Sequence, residues 1–310
     1  MKQMEEVLMR QQVDGLAVTQ QPPIRDVSET EWERALRFLW LEVTNRCNLQ
    51  CVHCYADSGP DRALVGTMTL NDWVNILEEG VAIGCRAVQF IGGEPTLYPH
   101  LRELIVKARD VGYDFIEVFT NGVCLTERMC EFLHAHGVHL AFSVYGASPE
   151  VHDKVTRRVG SYERTLRAIR TAVAIGIPVR VGMIVMQENS HDVESTISLL
   201  KSIGVTEIGV DRVRGIGRGN SLVQATDPWY ELCGACWRGQ LAIDVNGDAY
   251  PCVFSRFWKV GNVREGLRNL LEKRELHDFR RKVRHMHDER ARSQVNRCRP
   301  DCVPYECEPT

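Results

Sequence analysis

Apolar and polar positions along the chain predict strands that alternate with helices from residue 38 onward. Short apolar runs rich in β-formers alternate with stretches in which apolar residues recur every three or four positions, which is the helical period. The predicted strands are 38–44, 87–91, 114–120, 140–144, 178–185 and 207–211. The predicted helices are 70–84, 101–111, 126–136, 161–176 and 191–203.

Repeated strand-then-helix order implies parallel strands joined by right-handed crossovers. In such folds the functional loops follow the C-terminal ends of the strands. A complete eight-unit barrel needs roughly 250 residues, whereas this alternation ends near residue 211. We therefore predict an α/β fold with an open, partial (β/α)6 TIM-like barrel.

The pattern changes near residue 220, where we place a domain boundary. Residues 1–36 are polar and contain a Pro-Pro pair, so we predict an N-terminal extension with a short helix. Residues 37–220 would form the barrel, and residues 221–310 a small cysteine-rich domain. The latter has β-like runs at 241–245 and 249–254, joined by an Asn-Gly-Asp hairpin signal, and a predicted helix over 263–286.

Composition excludes several classes of function. A net charge of −3 and a pI near 6.4 give no general argument for nucleic acid or a membrane surface as the partner. The chain lacks an apolar run of about 18 residues and a secretory signal, so we expect a cytoplasmic protein. Without an export signal, the twelve cysteines favour metal ligands or catalytic thiols over disulfides.

Three cysteines, Cys47, Cys51 and Cys54, follow the first predicted strand. A four-iron cluster normally takes four cysteine thiolates, so three would leave one iron open. An open coordination position is typical of a metal that acts on a ligand rather than one that only stabilises the fold. The alternatives are a zinc site with His53 as fourth ligand, or three buried cysteines without a metal.

Other predicted strands also end in polar or glycine residues. Gly92, Gly93 and Glu94 follow the second strand, where glycines let a ligand approach the backbone. Residues 120–122 (Thr-Asn-Gly) and 142–146 (Phe-Ser-Val-Tyr-Gly) end the third and fourth. A plain β-to-α turn would explain the glycine pair alone, but the four strand ends together predict a site at one edge of the sheet.

These motifs resemble those of the radical S-adenosylmethionine (SAM) enzymes, in the family's order and over residues 38–215. The resemblance implies that Cys47, Cys51 and Cys54 hold a 4Fe-4S cluster. It also implies that SAM chelates the open iron and is cleaved reductively to a 5'-deoxyadenosyl radical, which abstracts a substrate hydrogen.

The resemblance also implies roles for cofactor-binding residues. Gly92, Gly93 and Glu94 would meet the methionine amine, Ser143 the ribose or carboxylate, and His53 the adenine, with Asn121 as a further contact. Tyr145 departs from the Ser-x-Asp-Gly pattern common in related members, which leaves its ribose contact open.

A second set of cysteines resembles the auxiliary-cluster domain called SPASM, or its shortened form, twitch. Cys236 and Cys252 flank the predicted hairpin. The resemblance implies that the domain holds at least one auxiliary 4Fe-4S cluster and that both cysteines are among its ligands. Completing ligands would come from Cys298, Cys302 and Cys307, whose spacing departs from the full pattern. Cys233 could be a ligand, a reactive thiol or a turn residue, and a structural zinc knuckle is the alternative.

The remaining chemistry-bearing residues are weaker candidates. We interpret Cys85 and Cys130 as packing residues. Cys124 is the one candidate catalytic residue, as a hydrogen donor to a substrate radical. A cluster of three arginines at 212, 214 and 218 could bind a carboxylate or form internal salt bridges.

The resemblance favours a radical SAM enzyme that modifies a ribosomally made peptide by a crosslink, a thioether or epimerisation. The alternatives are a dehydrogenase of a small alcohol or aminocyclitol, a cofactor-maturation enzyme, and a zinc-binding interaction protein. Expected partners are flavodoxin or ferredoxin as electron donor, the substrate, and a separate leader-peptide-binding protein, because about 36 residues precede the barrel. We expect no nucleic-acid or membrane partner.

Overall fold

The computed structural model describes residues 35–223 and 225–292. Its strands are β1 Phe38–Thr44, β2 Ala87–Gly92, β3 Phe115–Thr120, β4 His139–Ser143, β5 Val179–Val185, β6 Glu207–Arg212, β7 Gln240–Ile243, β8 Asp248–Tyr250 and β9 Gly261–Asn262. Its α-helices are α1 Leu70–Ala82, α2 Leu101–Val111, α3 Glu127–Ala135, α4 Pro149–Thr156, α5 Ser161–Ile175, α6 Val193–Ile203, α7 Leu267–Glu272 and α8 Arg274–Arg292. Short 3-10 turns cover Pro95–Leu97, Ser190–Asp192, Gly217–Ser221, Pro228–Glu231 and Val263–Glu265.

The strands of the described residues form one sheet in the order β6-β5-β4-β3-β2-β1-β7-β8-β9. Pairing is parallel from β6 to β1 and again between β1 and β7, whereas β8 and β9 are antiparallel. The six predicted parallel strands are therefore confirmed. The predicted hairpin does not stand apart, because β7 extends the same sheet at β1.

Burial explains why β1 is the most continuous apolar run. It is paired on both sides and all seven of its residues are buried. A strand in this position needs apolar side chains on both faces. The main core forms where such strands meet the helices, with Leu39, Leu41, Val88 and Phe90 all essentially unexposed.

Two helical features differ from the sequence prediction. The predicted single helix over 263–286 is interrupted, because Gly266 has φ +85° and Lys273 is extended. The Leu267 N–H also donates to Glu79 Oε2 of α1 at 2.7 Å, which fixes the start of α7. Helix α4 was not predicted, although Pro149 at its first turn is a known start signal.

None of the helices among the described residues is both long and apolar enough to cross a membrane.

Candidate functional site

The loop that carries Cys47, Cys51 and Cys54 leaves the end of β1 and is fixed by backbone hydrogen bonds. The Cys47 N–H donates to the Gly59 carbonyl at 3.1 Å. The N–H groups of residues 50 and 52 donate to the carbonyls of residues 156 and 155 at 3.1 and 3.0 Å, which ties the loop to the end of α4. Cys47 is buried, Cys51 and Cys54 are half-buried, and all three border one cavity of about 360 Å³.

Gly92 and Gly93 bring the end of β2 against the end of β1. A Cβ on Gly92 would overlap the Thr44 carbonyl oxygen, and one on Gly93 would overlap that of Arg46. Gly92 also has φ +134°, which favours glycine. The pair is therefore needed for the close approach of two backbone segments, in addition to the ligand access that the sequence suggested. Both glycines border the cavity.

Glu94 braces this edge from inside the protein. Its side chain is fully buried, and its Oε1 accepts from the Thr96 N–H at 3.0 Å and from the Thr96 and Thr120 hydroxyls at 2.7 Å each. Its Oε2 accepts from the Asn121 N–H at 2.8 Å. Burial nevertheless raises the pKa of the carboxyl. The structure thus engages both carboxylate oxygens within the protein, and a contact between Glu94 and a bound ligand stays a prediction.

Asn121 reaches the cysteine loop directly. Its Nδ2 donates to Asn48 Oδ1 at 2.7 Å and to Cys47 Sγ at 3.6 Å. The Leu49 N–H donates to the same sulfur at 3.4 Å. Cys124, the candidate hydrogen donor, is exposed, and its sulfur accepts from Asn48 Nδ2 at 3.1 Å. Cys124 is outside the set of residues that line the cavity, and its catalytic role stays a prediction.

His53, Ser143 and Tyr145 also border the cavity. The His53 and Tyr145 rings meet edge-on with centroids 4.7 Å apart. Tyr145 is fixed from behind, since its N–H donates to Nδ1 of buried His152 at 3.2 Å. Burial, assisted by the Arg218 charge, lowers the pKa of His53 to about 4, so its ring is neutral at pH 7. The departure at Tyr145 therefore places an aromatic residue beside His53.

Several polar atoms at the cavity have no hydrogen-bond partner among the described residues. They are His53 Nδ1, Ser58 Oγ, Arg218 Nη2 and Gln240 Nε2, all buried and all on residues that line the cavity. Buried polar atoms are rarely left unpaired, because each costs about 1–3 kcal/mol. They lie on residues that line one space, so polar groups without a partner are concentrated beside this cavity.

The three arginines at and after the end of β6 all form internal salt bridges, and Arg218 also reaches the cysteine loop. Arg212 pairs with Glu231 at 3.1 Å and Arg214 with Asp211 at 2.7 Å, which are internal salt bridges. Arg218 pairs with Asp57 at 2.9 Å and donates through Nε to the Cys51 carbonyl at 2.8 Å. Sequence analysis missed this link to the cysteine loop, since residues 51 and 218 are far apart in the chain.

The second set of cysteines lies in an apolar cluster beside the same cavity. Cys236 and Cys252 are buried with sulfurs 3.1 Å apart, and Cys233 and Cys252 border the cavity. Hydrogen bonding with Cys233, then with Cys252, raises the pKa of Cys236 well above its usual range. The structure therefore places Cys233, which the sequence left undecided, with the two predicted ligands. Cys298, Cys302 and Cys307 lie outside the described residues.

The remaining cysteines, Cys85 and Cys130, are unexposed members of the main core. Within residues 35–223 and 225–292, no set of three or more His, Cys, Asp or Glu side chains is arranged to hold a single metal ion.

The donor set of the first loop fits an iron-sulfur cluster. Three thiols border one space, and a four-iron cluster needs its thiolates around a volume because each binds a different iron. Two N–H donors already reach the Cys47 sulfur, as occurs for cluster thiolates. Burial raises the pKa of Cys47 to about 12 in the metal-free chain, so metal binding must displace that proton.

Comparisons with known proteins agree with this geometry. The family model described as the Radical SAM superfamily matches residues 41–200, and a model described as an iron-sulfur cluster-binding domain, SPASM, matches residues 233–303. The chain is 31% identical over 198 residues to the AdoMet-dependent heme synthase of Methanosarcina barkeri, covering 64% of this chain and 56% of that protein. It is 25% identical over 255 residues to the antilisterial bacteriocin subtilosin biosynthesis protein AlbA of Bacillus subtilis, covering 72% and 56%.

Solved structures are similar as well. The structure of Streptococcus suis SuiB bound to precursor peptide SuiA matches with a TM-score of 0.66 and 14% identity, covering 89% of this chain and 77% of that one. The matched part spans 56% of the length of the two curated relatives named above. The fold is the predicted partial barrel followed by a SPASM domain. Since residues 41–200 make up 160 of its 310 residues, the chain belongs to the radical SAM superfamily.

Proposed function

We propose that the chain binds a 4Fe-4S cluster through Cys47, Cys51 and Cys54 and SAM at the iron left open, and that it modifies a peptide substrate. The observation that carries the proposal is that these thiols, the glycine pair 92–93 and Ser143 all line one cavity. The proposal is also supported by the unpaired polar atoms on residues that line the cavity, since a zwitterionic nucleoside ligand needs polar partners.

When bound and reduced by one electron, the cluster would supply the cleavage of SAM to methionine and a 5'-deoxyadenosyl radical, which takes a hydrogen atom from the substrate. The chain's own residues hold and shield this chemistry. Asn121 and the Leu49 N–H donate to the Cys47 sulfur, and such donors set the potential of a bound cluster. His53 stays neutral, since burial lowers its pKa, and offers a flat apolar face beside Tyr145.

The second set of cysteines would hold at least one auxiliary cluster. Cys236 and Cys252 are the firmest ligands because they flank the β7–β8 hairpin and lie side by side, and Cys233 lies with them. Their sulfurs would have to separate from 3.1 Å around a cluster, because each thiolate binds a different iron. We include Cys298, Cys302 and Cys307 as completing ligands within the part that matches the SPASM model or just beyond it. An auxiliary cluster so close to the cavity could accept an electron from a substrate radical.

A peptide substrate is supported by two similar proteins. AlbA is named for biosynthesis of the bacteriocin subtilosin, and SuiB was solved with the precursor peptide SuiA. The cavity is also bordered by the whole of the edge strand β6, residues 207–212, so an extended substrate has room along it. Flavodoxin or ferredoxin would supply the electron.

A second candidate is a reaction on a small molecule or in cofactor maturation. It is favoured by the heme synthase, the relative with 31% identity. Mass spectrometry after reaction distinguishes the two candidates, with a peptide encoded beside the gene as substrate. Loss of two hydrogens or a crosslink supports peptide modification, and so does incorporation of one deuterium from deuterated solvent. An unchanged peptide supports the second candidate.

Anaerobic reconstitution tests the shared chemistry. With SAM and dithionite, the wild-type protein should form 5'-deoxyadenosine, and a variant with Cys47, Cys51 and Cys54 all changed to Ala should form none. Cys130→Ala, a change at an unexposed core cysteine away from the cavity, is the matched control and should retain cleavage. Stoichiometric zinc without iron-sulfur absorbance, or cleavage by the triple variant, would show the proposal to be wrong.

A further inference from the structure

An exposed basic segment at the end of α4 is hydrogen-bonded to the cysteine loop, and the proposed chemistry does not use it. We call the residues Lys154, Arg157, Arg158 and Val159 the basic patch. They border an open surface cleft of about 440 Å³ at the end of α4. Lys154, Arg157 and Val159 are exposed. The patch contrasts with the net charge of −3 of the whole chain.

The backbone next to the patch, at residues 155 and 156, is hydrogen-bonded to the loop that carries Cys47, Cys51 and Cys54. The carbonyls of residues 155 and 156 accept from the N–H groups of residues 52 and 50, on either side of Cys51. Arg158 Nη1 donates to the carbonyl of Asn48, the neighbour of Cys47, at 2.6 Å. These hydrogen bonds join the end of α4 to the backbone on both sides of Cys51 and to the residue after Cys47, so the patch is directly connected to the loop that carries the proposed cluster ligands.

Two other features of the patch lie at Arg157 and Val159. Arg157 has a left-handed backbone, with φ +56° and ψ 34°, which is uncommon for a residue other than glycine. Val159 has an exposed fraction of 96%, the highest among the large apolar side chains that the structure describes. Arg157 is the C-terminal cap of α4, where a left-handed residue is common, and single exposed apolar side chains are normal, so the charges carry the inference. An apolar centre flanked by charges is the usual arrangement of a protein interface.

The acidic residues near the patch weaken its positive charge only in part. Asp153 is turned toward the start of α5, where it accepts from the Gly160 N–H, the Ser161 hydroxyl and the Tyr162 N–H at 2.6–2.8 Å. Glu150 is the exposed acidic residue at the cleft. The outward-facing groups are therefore mainly cationic, and they favour an acidic partner.

We infer that the basic patch is the docking surface for a small acidic one-electron carrier protein. The inference rests on the proposed function, which consumes one electron for each SAM cleaved. The carrier's reduced form would lose one electron to the bound cluster and leave in its oxidised form. Docking at the patch would place the carrier on a surface that is hydrogen-bonded to the loop of the cluster ligands, and the patch residues are not among those that line the cavity proposed for SAM and substrate.

Two reductants separate docking from chemistry. Dithionite is a small anion that needs no protein-docking surface, whereas reduced flavodoxin must bind. The test variant is Lys154→Glu/Arg157→Glu, which leaves Arg158 in place because that side chain fixes Asn48. The matched control is Lys201→Glu/Arg268→Glu, the same change of charge at exposed residues of α6 and α7 that do not border the cleft.

With flavodoxin at low salt, the patch variant should form 5'-deoxyadenosine with kcat/KM about tenfold or more below wild type, since charge complementarity steers association. The control variant should match wild type, and all three proteins should react equally with dithionite. Added salt should lower the wild-type rate toward that of the variant. Val159→Ser should lower the rate of 5'-deoxyadenosine formation with flavodoxin and leave the rate with dithionite unchanged.

The inference of a docking surface would be overturned if the patch variant and wild type reacted at equal rates with flavodoxin and, in a parallel assay, with a ferredoxin. So would a wild-type enzyme that reacts with dithionite and with neither carrier. Failure of wild type with dithionite would instead overturn the proposed function. If the glutamate variant is slow with both reductants, Lys154→Ala/Arg157→Gly decides, because glycine accepts the left-handed backbone and the charge is still removed.

Discussion

The two cysteine-bearing regions lie on one cavity but are stabilised in different ways. The first loop is fixed by hydrogen bonds from its backbone to α4 and by the buried carboxylate of Glu94 at the adjacent edge. The second set is packed among aromatic rings, with Trp229, Trp258 and Phe279 at centroid distances of 5.2–5.8 Å.

This difference matches two different tasks. Hydrogen-bonded loops can leave some polar atoms unpaired for a ligand, and three of them lie on His53, Ser58 and Arg218 near the first loop. Aromatic packing excludes water and leaves Cys236 and Cys252 almost unexposed. We therefore expect the first region to bind and turn over a ligand, and the second to hold a cluster in an apolar setting.

The largest effect should come from removing the second set while the first is kept. Cys236→Ala/Cys252→Ala should lose the modified product but retain SAM cleavage, because the first loop does not depend on those thiols. Iron content should fall without reaching zero. Chromatography of 5'-deoxyadenosine measures SAM cleavage, and chromatography of the substrate measures the modified product. Loss of cleavage in parallel with product would contradict the separation of tasks.

The glycine pair should be the next most sensitive feature. Gly93→Ala should weaken SAM binding about tenfold or more, because its Cβ would overlap the Arg46 carbonyl and force the edge apart. Gly59→Ala is the control, since a Cβ there meets nothing within 4 Å. Calorimetric titration of the reconstituted proteins gives both affinities. Equal affinities would mean that the close approach of β1 and β2 is unimportant for the site.

Glu94→Gln should lower the free energy of unfolding by about 3 kcal/mol, because the new amide group, in place of either carboxylate oxygen, faces the backbone N–H of Thr96 or Asn121, which can only donate. Urea unfolding of the metal-free protein under reducing conditions measures it. Glu103→Gln, on an exposed position of α2, should change the same free energy by less than about 0.5 kcal/mol. Similar values for the two variants would refute the bracing role.

The contact between the two regions should show a smaller effect on the free energy of unfolding, about 2 kcal/mol, because a buried acceptor loses its partner. Buried Glu42 of β1 accepts hydrogen bonds from Arg256, which follows the second set, and from the Tyr55 hydroxyl at 3.4 Å. Arg256→Met leaves this carboxylate buried without its cation, which destabilises the fold. The measurement is the free energy of unfolding of the metal-free protein from pH 5 to pH 8.

The pH dependence has a definite sign. Burial raises the pKa of Glu42, and Arg256 opposes this. Without Arg256 the folded state holds the proton more tightly than the unfolded state, so stability should fall as pH rises above the ordinary value of 4.5. Arg256→Met/Glu42→Gln should remove that slope and recover most of the loss. A flat profile for the single variant would contradict the pairing.

The sequence predicted most of the fold because strand and helix periods are local signals. Strand β1 and helix α2 were predicted with their observed limits, and the other barrel strands within one or two residues. The parallel pairing of β7 with β1 could not be predicted, because nothing near residue 240 encodes its contact with residue 38.

The site was predictable in its residue types but not in its contacts. The hydrogen bonds of the Glu94 carboxylate to Thr120 at the end of β3 and to the next residue, Asn121, depend on which strands are neighbours, and its contact with a ligand stays a prediction. The link from Arg218 to Cys51 and that from Arg256 to Glu42 join residues far apart in sequence. A single sequence carries no signal for such pairs.

The most direct measurement is electron-nuclear double resonance on the reduced protein with SAM labelled with ¹⁷O in its carboxylate and ¹⁵N in its amine. Using Cys236→Ala/Cys252→Ala simplifies the spectrum to the cluster of the first loop. We predict hyperfine coupling from both labels, because the iron without a cysteine binds the methionine group. A reduced cluster signal with coupling from neither label would contradict the central claim.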